Sequence, residues 1–335
     1  MTFLNRPTDS FANHAYIIAE VGVNHNSSTD MAFKLIDLAA DGGADAVKFQ
    51  MFVPELLCSS VYRQAEIDML KGYEITKETL ASFRNYTLKR GLDFIATPFD
   101  FESLSIVAAM QGAAIKIASG ELTHIPFLQK AASYDQDLIV STGASYISDV
   151  ERAVRAIESV STRMLGLLHC VSVYPAPDDS LNLRALTTLQ AAFPQCVIGF
   201  SDHSVGHVAS GIAVSLGAHM IEKHITLDKA LPGPDHAASA NEKDFKLMVQ
   251  GIRAAESMLG SGTKTPQPCE LKIGRSLVAA RNIAAGEYIS LSDIECKRPA
   301  GGLRAYDIDL FVGARLVQSI KRDEQFAATH IIEKK

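Results

Sequence analysis

Residues 15–50 read AYIIAEVGVNHNSSTDMAFKLIDLAADGGADAVKFQ, and the pattern in this stretch decides the fold. Two short apolar runs, AYIIAEVG (15–22) and DAVKFQ (45–50), flank a longer amphipathic segment at 29–43. The runs are continuously apolar, as expected for parallel strands that are buried on both faces. The middle segment has apolar residues at helical spacing, a serine or threonine as N-cap and two glycines as a stop. The stretch therefore predicts a strand, a helix and a second strand.

The same alternation continues along the chain. Six further apolar runs are LDFIATPF (92–99), AIKIASGE (114–121), DLIVSTGA (137–144), MLGLLHC (164–170), CVIGFSDH (196–203) and HMIEKHITL (219–227). Helical patterns between or after them include residues 77–91, 148–160 and 242–260. Eight strand-and-helix units over about 250 residues are typical of an α/β protein with a (β/α)₈ TIM barrel. An open doubly wound sheet is the alternative, but no GxGxxG motif follows an early strand.

After the barrel region the composition changes. Residues 261–272 begin with SGTKTPQP, a composition typical of a linker, and residues 273–335 form a short remainder. Within the remainder LVAARNIAAGEYI (277–289) is echoed by LVQSIKRDEQF (316–326), which indicates two similar hairpin-like units. We therefore expect a barrel domain at 1–260, a linker, and a small β-rich domain.

Composition narrows the class of protein. The 335 residues are 47% hydrophobic and 21% charged, as expected for a globular protein, and the net charge of −6 argues against general nucleic-acid binding. The five cysteines are scattered, odd in number and contain no CxxC pair, so that a reducing cytoplasm fits better than a disulfide framework. Neither a leader peptide nor a membrane span is expected.

Polar residues occupy the C-terminal ends of all eight runs, where barrel enzymes carry their chemistry. Lys48 and Lys116 lie in apolar strands, and a buried lysine is costly unless it is paired with an anion. Hydroxyl groups at nearby strand ends are those of Thr97, Ser119, Ser141 and Ser201. Together these side chains predict a cradle for a phosphate or carboxylate group. The alternative is that each lysine pairs with a barrel glutamate such as Glu20 or Glu222.

His203 and His224 end adjacent strands, and a pair of imidazoles so placed can converge on one divalent metal ion. A single strand-end histidine would instead favour a hydrogen-bonding role. Glu20 lies close to both expected sites, in a position suited to a general base, and an ion pair with a lysine is compatible with that role. Asp235, in the turn-rich segment PGPDH, is placed to contact a substrate hydroxyl.

At these residues the sequence resembles the sialic acid synthase family. The matching segments are IAEVGVNH (18–25), VKFQ (47–50), ATPFD (96–100), KIASGE (116–121), STGA (141–144), HCVSVYPAP (169–177), GFSDH (199–203), IEKHITLD (221–228) and PGPDHAAS (232–239). The segments VAARNIAAGE (278–287) and KRPAGGL (297–303) resemble the antifreeze-like (SAF) domain of the same family. Nine motifs in one order are far more specific than any one of them.

The resemblance implies a transferase that condenses phosphoenolpyruvate with an N-acyl hexosamine and water, giving a nonulosonic acid and phosphate by C–O cleavage. It implies phosphoenolpyruvate binding by Lys48, Thr97, Lys116, Ser119, Ser141, Ser172 and Ser201. It implies sugar binding by Gln50, Glu121, Tyr174 and Asp235, and catalytic roles for Glu20, His203 and His224. Arg298 of the partner subunit would reach the N-acyl group in a domain-swapped homodimer. Ser172 and AGG in KRPAGGL depart from the usual family residues.

The resemblance also implies that the two histidines bind Mn²⁺, with Mg²⁺ or Co²⁺ as alternatives. Another barrel enzyme, a metal-dependent aldolase or a keto-acid phosphate synthase, would share the cradle and the metal but not the SAF segment. A non-catalytic sugar-binding protein would not need the full set of strand-end polar residues. Within the family, LPGPDHAAS is more similar to synthases of N-acetylneuraminate or N,N'-diacetyllegionaminate than to pseudaminate synthases. Of the first two products, N-acetylneuraminate, made from N-acetylmannosamine, is favoured by a small margin.

Overall fold

The computed structural model describes residues 14–332. The segment 1–13, which holds most of the region searched for a leader, and residues 333–335, the end of the expected small domain, lie outside the described residues. The chain divides into two compact units, and the boundary between them in the sequence falls between Gly260 and Ser261. Among the residues described, no helix has both the length and the apolar character needed to cross a bilayer.

Eight parallel strands in the first unit close into a barrel in sequence order. The strands are β1 (Tyr16–Gly22), β2 (Ala46–Met51), β3 (Asp93–Pro98), β4 (Ala114–Ile117), β5 (Leu138–Ser141), β6 (Leu165–Cys170), β7 (Val197–Asp202) and β8 (Met220–His224). Each apolar run supplies one strand, and the predicted (β/α)₈ fold is confirmed. Strand β1 pairs with both neighbours, so that Glu20 lies opposite Lys48 on one side and His224 on the other.

Helices surround the barrel. They are α1 (Thr29–Gly42), α2 (Pro54–Leu57), α3 (Ser60–Leu70), α4 (Lys77–Lys89), α5 (Phe101–Ala109), α6 (Ile125–Ala132), α7 (Ile147–Glu158), α8 (Ala185–Ala192), α9 (Val208–Ser215) and α10 (Glu242–Leu259). Helix α1 begins and ends as predicted: the Ser28 hydroxyl accepts a hydrogen bond from the Met31 N–H, and Gly43 adopts a left-handed conformation with φ of 85°. The short helices α2 and α3 were not predicted, and α3 buries only Ile67.

Side-chain alternation along the strands divides the barrel interior into two zones. Inward-facing apolar residues fill the lower zone: Tyr16, Ile18, Ala46, Ile95, Ala114, Ile139, Leu168 and Met220. Two residues further along their strands lie Glu20, Lys48, Lys116 and Glu222, all buried. Because successive side chains of a strand point to opposite faces, a two-residue step keeps the same inward direction. A charged layer therefore lies directly above an apolar plug.

The beginning and the end of the barrel unit are tied together. Arg253 of α10 donates a hydrogen bond of 2.9 Å from Nη1 to the carbonyl oxygen of Ala15. The Ala15 N–H in turn donates to Glu256 Oε1 at 2.5 Å. These contacts place the last helix against the start of β1, beside the β1–β8 pairing that closes the ring.

The second unit is small and β-rich, as predicted. Its antiparallel pairs are β9 (Ser276–Ala279) with β10 (Ile294–Lys297), and β11 (Arg315–Leu316) with β12 (Ile331–Ile332). The two echoing segments contact each other: Ile283 and Ile320 each donate a backbone hydrogen bond of 2.9 Å to the other. All five cysteines lie among the described residues and are free thiols. The expected cytoplasmic location stays a prediction.

Candidate active site

Two lysines and two glutamates form a buried cluster in the charged layer of the barrel. Lys48 Nζ lies 2.8 Å from Glu20 Oε2 and 3.6 Å from Glu222 Oε2, and Lys116 Nζ lies 3.9 Å from the same Glu222 atom. Each side chain is at most 5% exposed. The alternative interpretation of the sequence, in which each lysine pairs with a barrel glutamate, therefore describes the contacts present. Glu222 was considered only as such a partner and was missing from the expected site residues.

The lysines also contact two of the expected hydroxyl groups. Lys48 Nζ donates to Thr97 Oγ1 at 2.9 Å, and Lys116 Nζ donates to Ser141 Oγ at 2.6 Å and to the Ile117 carbonyl oxygen at 3.1 Å. An ammonium group has three N–H donors and no acceptor, so these neutral oxygens use one donor of Lys48 and two of Lys116 without neutralising either charge. The charge of the lysines is instead balanced by Glu20 and Glu222, and an anionic ligand that enters from the barrel mouth would compete with these carboxylates.

Burial and the neighbouring charges give the carboxyl groups of Glu20 and Glu222 very different pKa values. Burial raises the pKa of Glu20 to about 7, because the attraction of Lys48 does not fully compensate it and Glu222 adds repulsion. Burial acts in the same direction on Glu222, but Lys116 and Lys48 outweigh it and hold the pKa of that carboxyl at about 2. Glu222 is therefore the permanent counter-ion of the cluster, whereas Glu20 can exchange a proton near neutral pH.

Hydroxyl and thiol groups converge on the backbone of Gly143, just after β5. The Gly143 N–H donates to Ser119 Oγ at 3.1 Å, and Ser119 Oγ lies 3.1 Å from Cys170 Sγ. A Cβ atom on Gly143 would meet Ser172 Oγ, Cys170 Sγ at 2.8 Å and Ser119 Oγ at 2.9 Å. Only glycine fits among these three side chains. This close approach was not expected from the sequence.

His203 and His224 lie side by side at the mouth, with ring centroids 5.7 Å apart. His203 Nδ1 lies 2.7 Å from the Val171 carbonyl oxygen, which can only accept, so Nδ1 carries the proton and Nε2 the lone pair. The Ser201 hydroxyl, 3.3 Å from that Nε2, donates its proton to Glu222 Oε1 at 2.9 Å. The lone pair on His203 Nε2 is therefore free for a ligand.

His224 is also prepared to act as a neutral ligand. Its Nδ1 atom is buried without a hydrogen-bond partner among the described residues, and the nearest carboxylate, Asp235 Oδ2, lies 3.7 Å away. Burial and the neighbouring His203 lower the pKa of His224 well below its usual value, and burial lowers that of His203 as well. Imidazoles that stay uncharged at neutral pH keep the lone pairs that a metal requires.

The donor set fits a metal ion that keeps several open positions. Within residues 14–332, no group of three or more histidine, cysteine, aspartate or glutamate side chains is arranged to hold a metal. The protein would therefore supply the two imidazoles, and water or substrate oxygens would complete the coordination. Two nitrogen ligands with open positions suit a borderline divalent ion such as Mn²⁺ or Co²⁺.

The residues expected to bind the sugar occupy different positions around this centre. Gln50 Nε2 donates to Glu20 Oε1 at 3.1 Å, and the Tyr174 ring lies 4.1 Å from that of His203. Burial raises the pKa of Asp235, beside His224, to about 6. Glu121 ends the one-turn 3₁₀ helix Ser119–Glu121 that follows β4. Arg298 belongs to the second unit, where it is exposed and follows β10.

The chain is similar to known proteins along most of its length. The NeuB family matches residues 35–264, and the SAF domain matches residues 274–332. The N,N'-diacetyllegionaminic acid synthase of Legionella pneumophila is 38% identical over 94% of each chain. The N-acetylneuraminate-9-phosphate synthase of Drosophila melanogaster is 32% identical over 95% of this chain and 96% of its own.

The chain is also similar to a solved structure. The crystal structure of N-acetylneuraminic acid (sialic acid) synthetase from Leptospira borgpetersenii is 34% identical, with a TM-score of 0.73, over 77% of this chain and 90% of its own. The family match spans most of the barrel and includes Lys48, Lys116, Glu222 and the histidine pair, whereas Glu20 precedes its first residue. The chain therefore belongs to the NeuB family of sialic and related acid synthases and carries a C-terminal SAF domain.

Proposed function

We propose that the protein joins C3 of phosphoenolpyruvate to the aldehyde carbon of an open-chain N-acyl hexosamine and, with water, releases phosphate. The observation that carries this proposal is the buried cluster of two lysines and two glutamates next to two neutral imidazoles. Phosphoenolpyruvate bears a phosphate and a carboxylate, which match two cations surrounded by hydroxyl groups. Thr97, Ser119, Ser141, Ser172 and Ser201 would supply those hydroxyls.

The reaction balances with one water molecule. The electron pair of the C2–C3 double bond forms the new C–C bond, and positive charge develops at C2. Water adds at C2, and the bond from C2 to the phosphate oxygen breaks as the keto group forms. Of the two protons that water brings, one ends on the new hydroxyl and the other on phosphate.

The chain's own residues have distinct tasks in this scheme. Lys48 and Lys116 bind the anionic groups and stabilise negative charge on the departing phosphate. Glu20, with a pKa of about 7, accepts the proton from the attacking water. A divalent ion bound by His203 and His224 would supply Lewis acidity toward the aldehyde oxygen, and we propose Mn²⁺ for this position. Gln50, Glu121, Tyr174 and Asp235 would orient the sugar.

The sugar itself is the finer part of the proposal. The sequence favoured N-acetylmannosamine by a small margin over 2,4-diacetamido-2,4,6-trideoxymannose. The greater identity to a legionaminic acid synthase, 38% against 32% for an N-acetylneuraminate-9-phosphate synthase, reverses that order. We therefore propose the diacetamido sugar as the first substrate to test, with N-acetylmannosamine second.

Phosphate release tests the reaction. Purified protein with Mn²⁺ and phosphoenolpyruvate is given each sugar in turn, and the Lys116→Met variant is the matched negative control. We expect sugar-dependent release by the native chain and none by the variant. No release with any N-acyl hexosamine would overturn the proposed function.

The oligomeric part of the proposal has its own test. We propose a domain-swapped homodimer in which Arg298 of the partner subunit contacts the N-acyl group. Arg298→Ala and His203→Ala should each be nearly inactive. Mixed dimers of the two variants should regain activity, because one site then has both an intact barrel and an intact arginine. Failure of complementation in confirmed mixed dimers would exclude the swapped arrangement.

A further inference from the structure

Glu121 has a dedicated partner that the proposed reaction does not use. His124 lies three residues further along the chain, and its Nδ1 is 2.9 Å from Glu121 Oε2. A carboxylate oxygen accepts, so Nδ1–H is the donor. The Glu121 side chain is only 15% exposed, whereas that of His124 is 44% exposed. The pair therefore extends from the partly enclosed end of β4 toward solvent.

The imidazole of His124 is fixed by two aromatic rings. It stacks on Phe127 with a centroid distance of 5.4 Å and an interplanar angle of 16°, and it meets Phe101 edge-on at 5.6 Å. An exposed ion pair normally gains little, because two mobile side chains must be ordered to form it. Here ring packing has already ordered the donor, so only the carboxylate must be positioned.

The hydrogen bond leaves half of the carboxylate available. Among the described residues no hydrogen bond to Glu121 Oε1 is formed, whereas Oε2 is held by His124. Glu121 also ends the 3₁₀ turn that Ser119 begins, and Ser119 bonds to Gly143 in the hydroxyl cluster. A carboxylate fixed at one oxygen, on a turn anchored beside the anion cradle, is suited to accept a hydrogen bond from a sugar hydroxyl through the other.

We propose that His124 is a positioning residue that orients Glu121 toward the sugar substrate, a role that rests on the proposed function. His124 does not touch the reacting atoms. It acts by reducing the number of orientations that Glu121 explores before the sugar binds, so that less freedom is lost on binding. Its removal should therefore weaken sugar binding while leaving phosphoenolpyruvate binding and the melting temperature nearly unchanged.

Two substitutions separate the hydrogen bond from the ring packing. His124→Phe keeps a ring between Phe101 and Phe127 but has no donor. His124→Asn keeps an N–H donor near the position of Nδ1 but loses the stacked ring. We expect the phenylalanine variant to raise KM for the sugar by up to about tenfold, the cost of ordering one long side chain on binding. The asparagine variant should fall between the native and phenylalanine values, because its donor is present but no ring packing orders it.

A double variant tests whether His124 acts through Glu121. Glu121→Gln alone should raise KM for the sugar, and adding His124→Phe should raise it little further, because the residue that His124 orients has already been changed. Additive effects, or an unchanged KM in Glu121→Gln, would overturn the proposal. So would a phenylalanine variant with native sugar KM, or one whose KM for phosphoenolpyruvate rises equally and whose melting temperature falls.

The kinetic experiments distinguish failure of the positioning role of His124 from failure of the proposed function. If the native chain releases no phosphate with any sugar, the proposed reaction is wrong, and the role of His124 is wrong with it. If the native chain is active but His124→Phe matches it in sugar KM, only the positioning role is wrong.

Discussion

Glu222 Oε2 lies 3.9 Å from Lys116 Nζ, and both side chains are almost completely buried. The same carboxylate oxygen lies 3.6 Å from Lys48 Nζ, so one glutamate contacts both lysines, and Glu20 is the second and nearer counter-ion of Lys48. Breaking a buried ion pair is costly because the remaining charge has no compensation, even where the pair as a whole adds little stability. The buried lysines of the cluster therefore require nearby negative charge at the barrel mouth, either from a carboxylate of the protein or from an anionic ligand.

Replacement of Glu222 by glutamine should make the protein less stable and more dependent on its anionic substrate. We expect a loss of about 3 kcal/mol in the free energy of unfolding, because two buried ammonium groups lose a permanent counter-ion. Added phosphoenolpyruvate should raise the melting temperature of Glu222→Gln more than that of the native chain, since binding restores the missing charge. Differential scanning fluorimetry with and without the ligand measures both effects. Glu242→Gln, at an exposed pair with Lys246, is the control; an equal destabilisation there would contradict the explanation.

Gly143 should tolerate no side chain. In Gly143→Ala the new methyl group would press against Ser119 and Cys170 at less than 3 Å, so it would displace the hydroxyl groups of the cradle. We expect KM for phosphoenolpyruvate to rise about tenfold, the effect of roughly 1.4 kcal/mol of overpacking. Gly120→Ala is the matched control, because a Cβ there meets nothing within 4 Å. Steady-state kinetics with unchanged phosphoenolpyruvate KM in Gly143→Ala would show that the cluster does not bind this substrate.

Removal of either mouth histidine should abolish metal binding. His203→Ala and His224→Ala each leave one imidazole, and among the described residues no group of three metal-binding side chains can replace it. We expect Mn²⁺ affinity, measured by calorimetry on chelator-treated protein, to fall at least about a hundredfold, with activity falling in parallel. His207→Ala, four residues along the same segment, should bind the metal normally. If His203→Ala bound Mn²⁺ with the affinity of the native chain, the metal site would not include His203.

His25 should make the stability of the barrel depend on pH. Burial lowers the pKa of His25 to about 4 from an ordinary value of 6.5. Between these values the unfolded chain binds a proton at this residue that the folded chain does not, so stability falls as the pH falls through this window. We expect His25 alone to account for a loss of about 2 kcal/mol between pH 7 and pH 5.

Denaturant unfolding at the two pH values measures the effect. His25→Asn retains an acceptor for the Ser27 N–H, which now donates to His25 Nδ1, but does not titrate. Its stability should therefore change less between pH 7 and pH 5 than that of the native chain. Identical pH dependence in His25→Asn and native chains would contradict the assignment.

The barrel and much of its charged layer could be predicted because they follow from one-dimensional patterns. Continuous apolar runs identified the eight strands, and the two-residue step from Ile18 to Glu20 or from Ala46 to Lys48 fixes which polar residues share the interior. The pairing of Lys48 with Glu20 was an open alternative, since only the register between β1 and β2 makes these two residues opposite each other.

Other features depend on contacts between distant segments. The fit around Gly143 needs Ser119, which follows β4, to meet Cys170 and Ser172 at the end of β6, and no spacing along the chain encodes that. His124 carried no strand-end signal in the sequence, because its role depends on the contact with the Glu121 carboxylate in the folded chain. The role of Glu222 as counter-ion to both lysines likewise required the relative positions of β2, β4 and β8.

The contacts that join Arg253 to Ala15 have a consequence for the order of the chain. The barrel is a closed ring in which β1 pairs with β8 and the last helix contacts the start of β1. No position in the ring is therefore structurally the first. A circular permutant, with a short peptide joining the region of residue 260 to residue 15 and new ends in an exposed loop between helix and strand, would retain all eight strand pairings. The residues at the mouth would come in a different order along the chain yet occupy the same places in space. The chemistry of this site therefore requires the spatial positions of its residues and does not require their order along the chain.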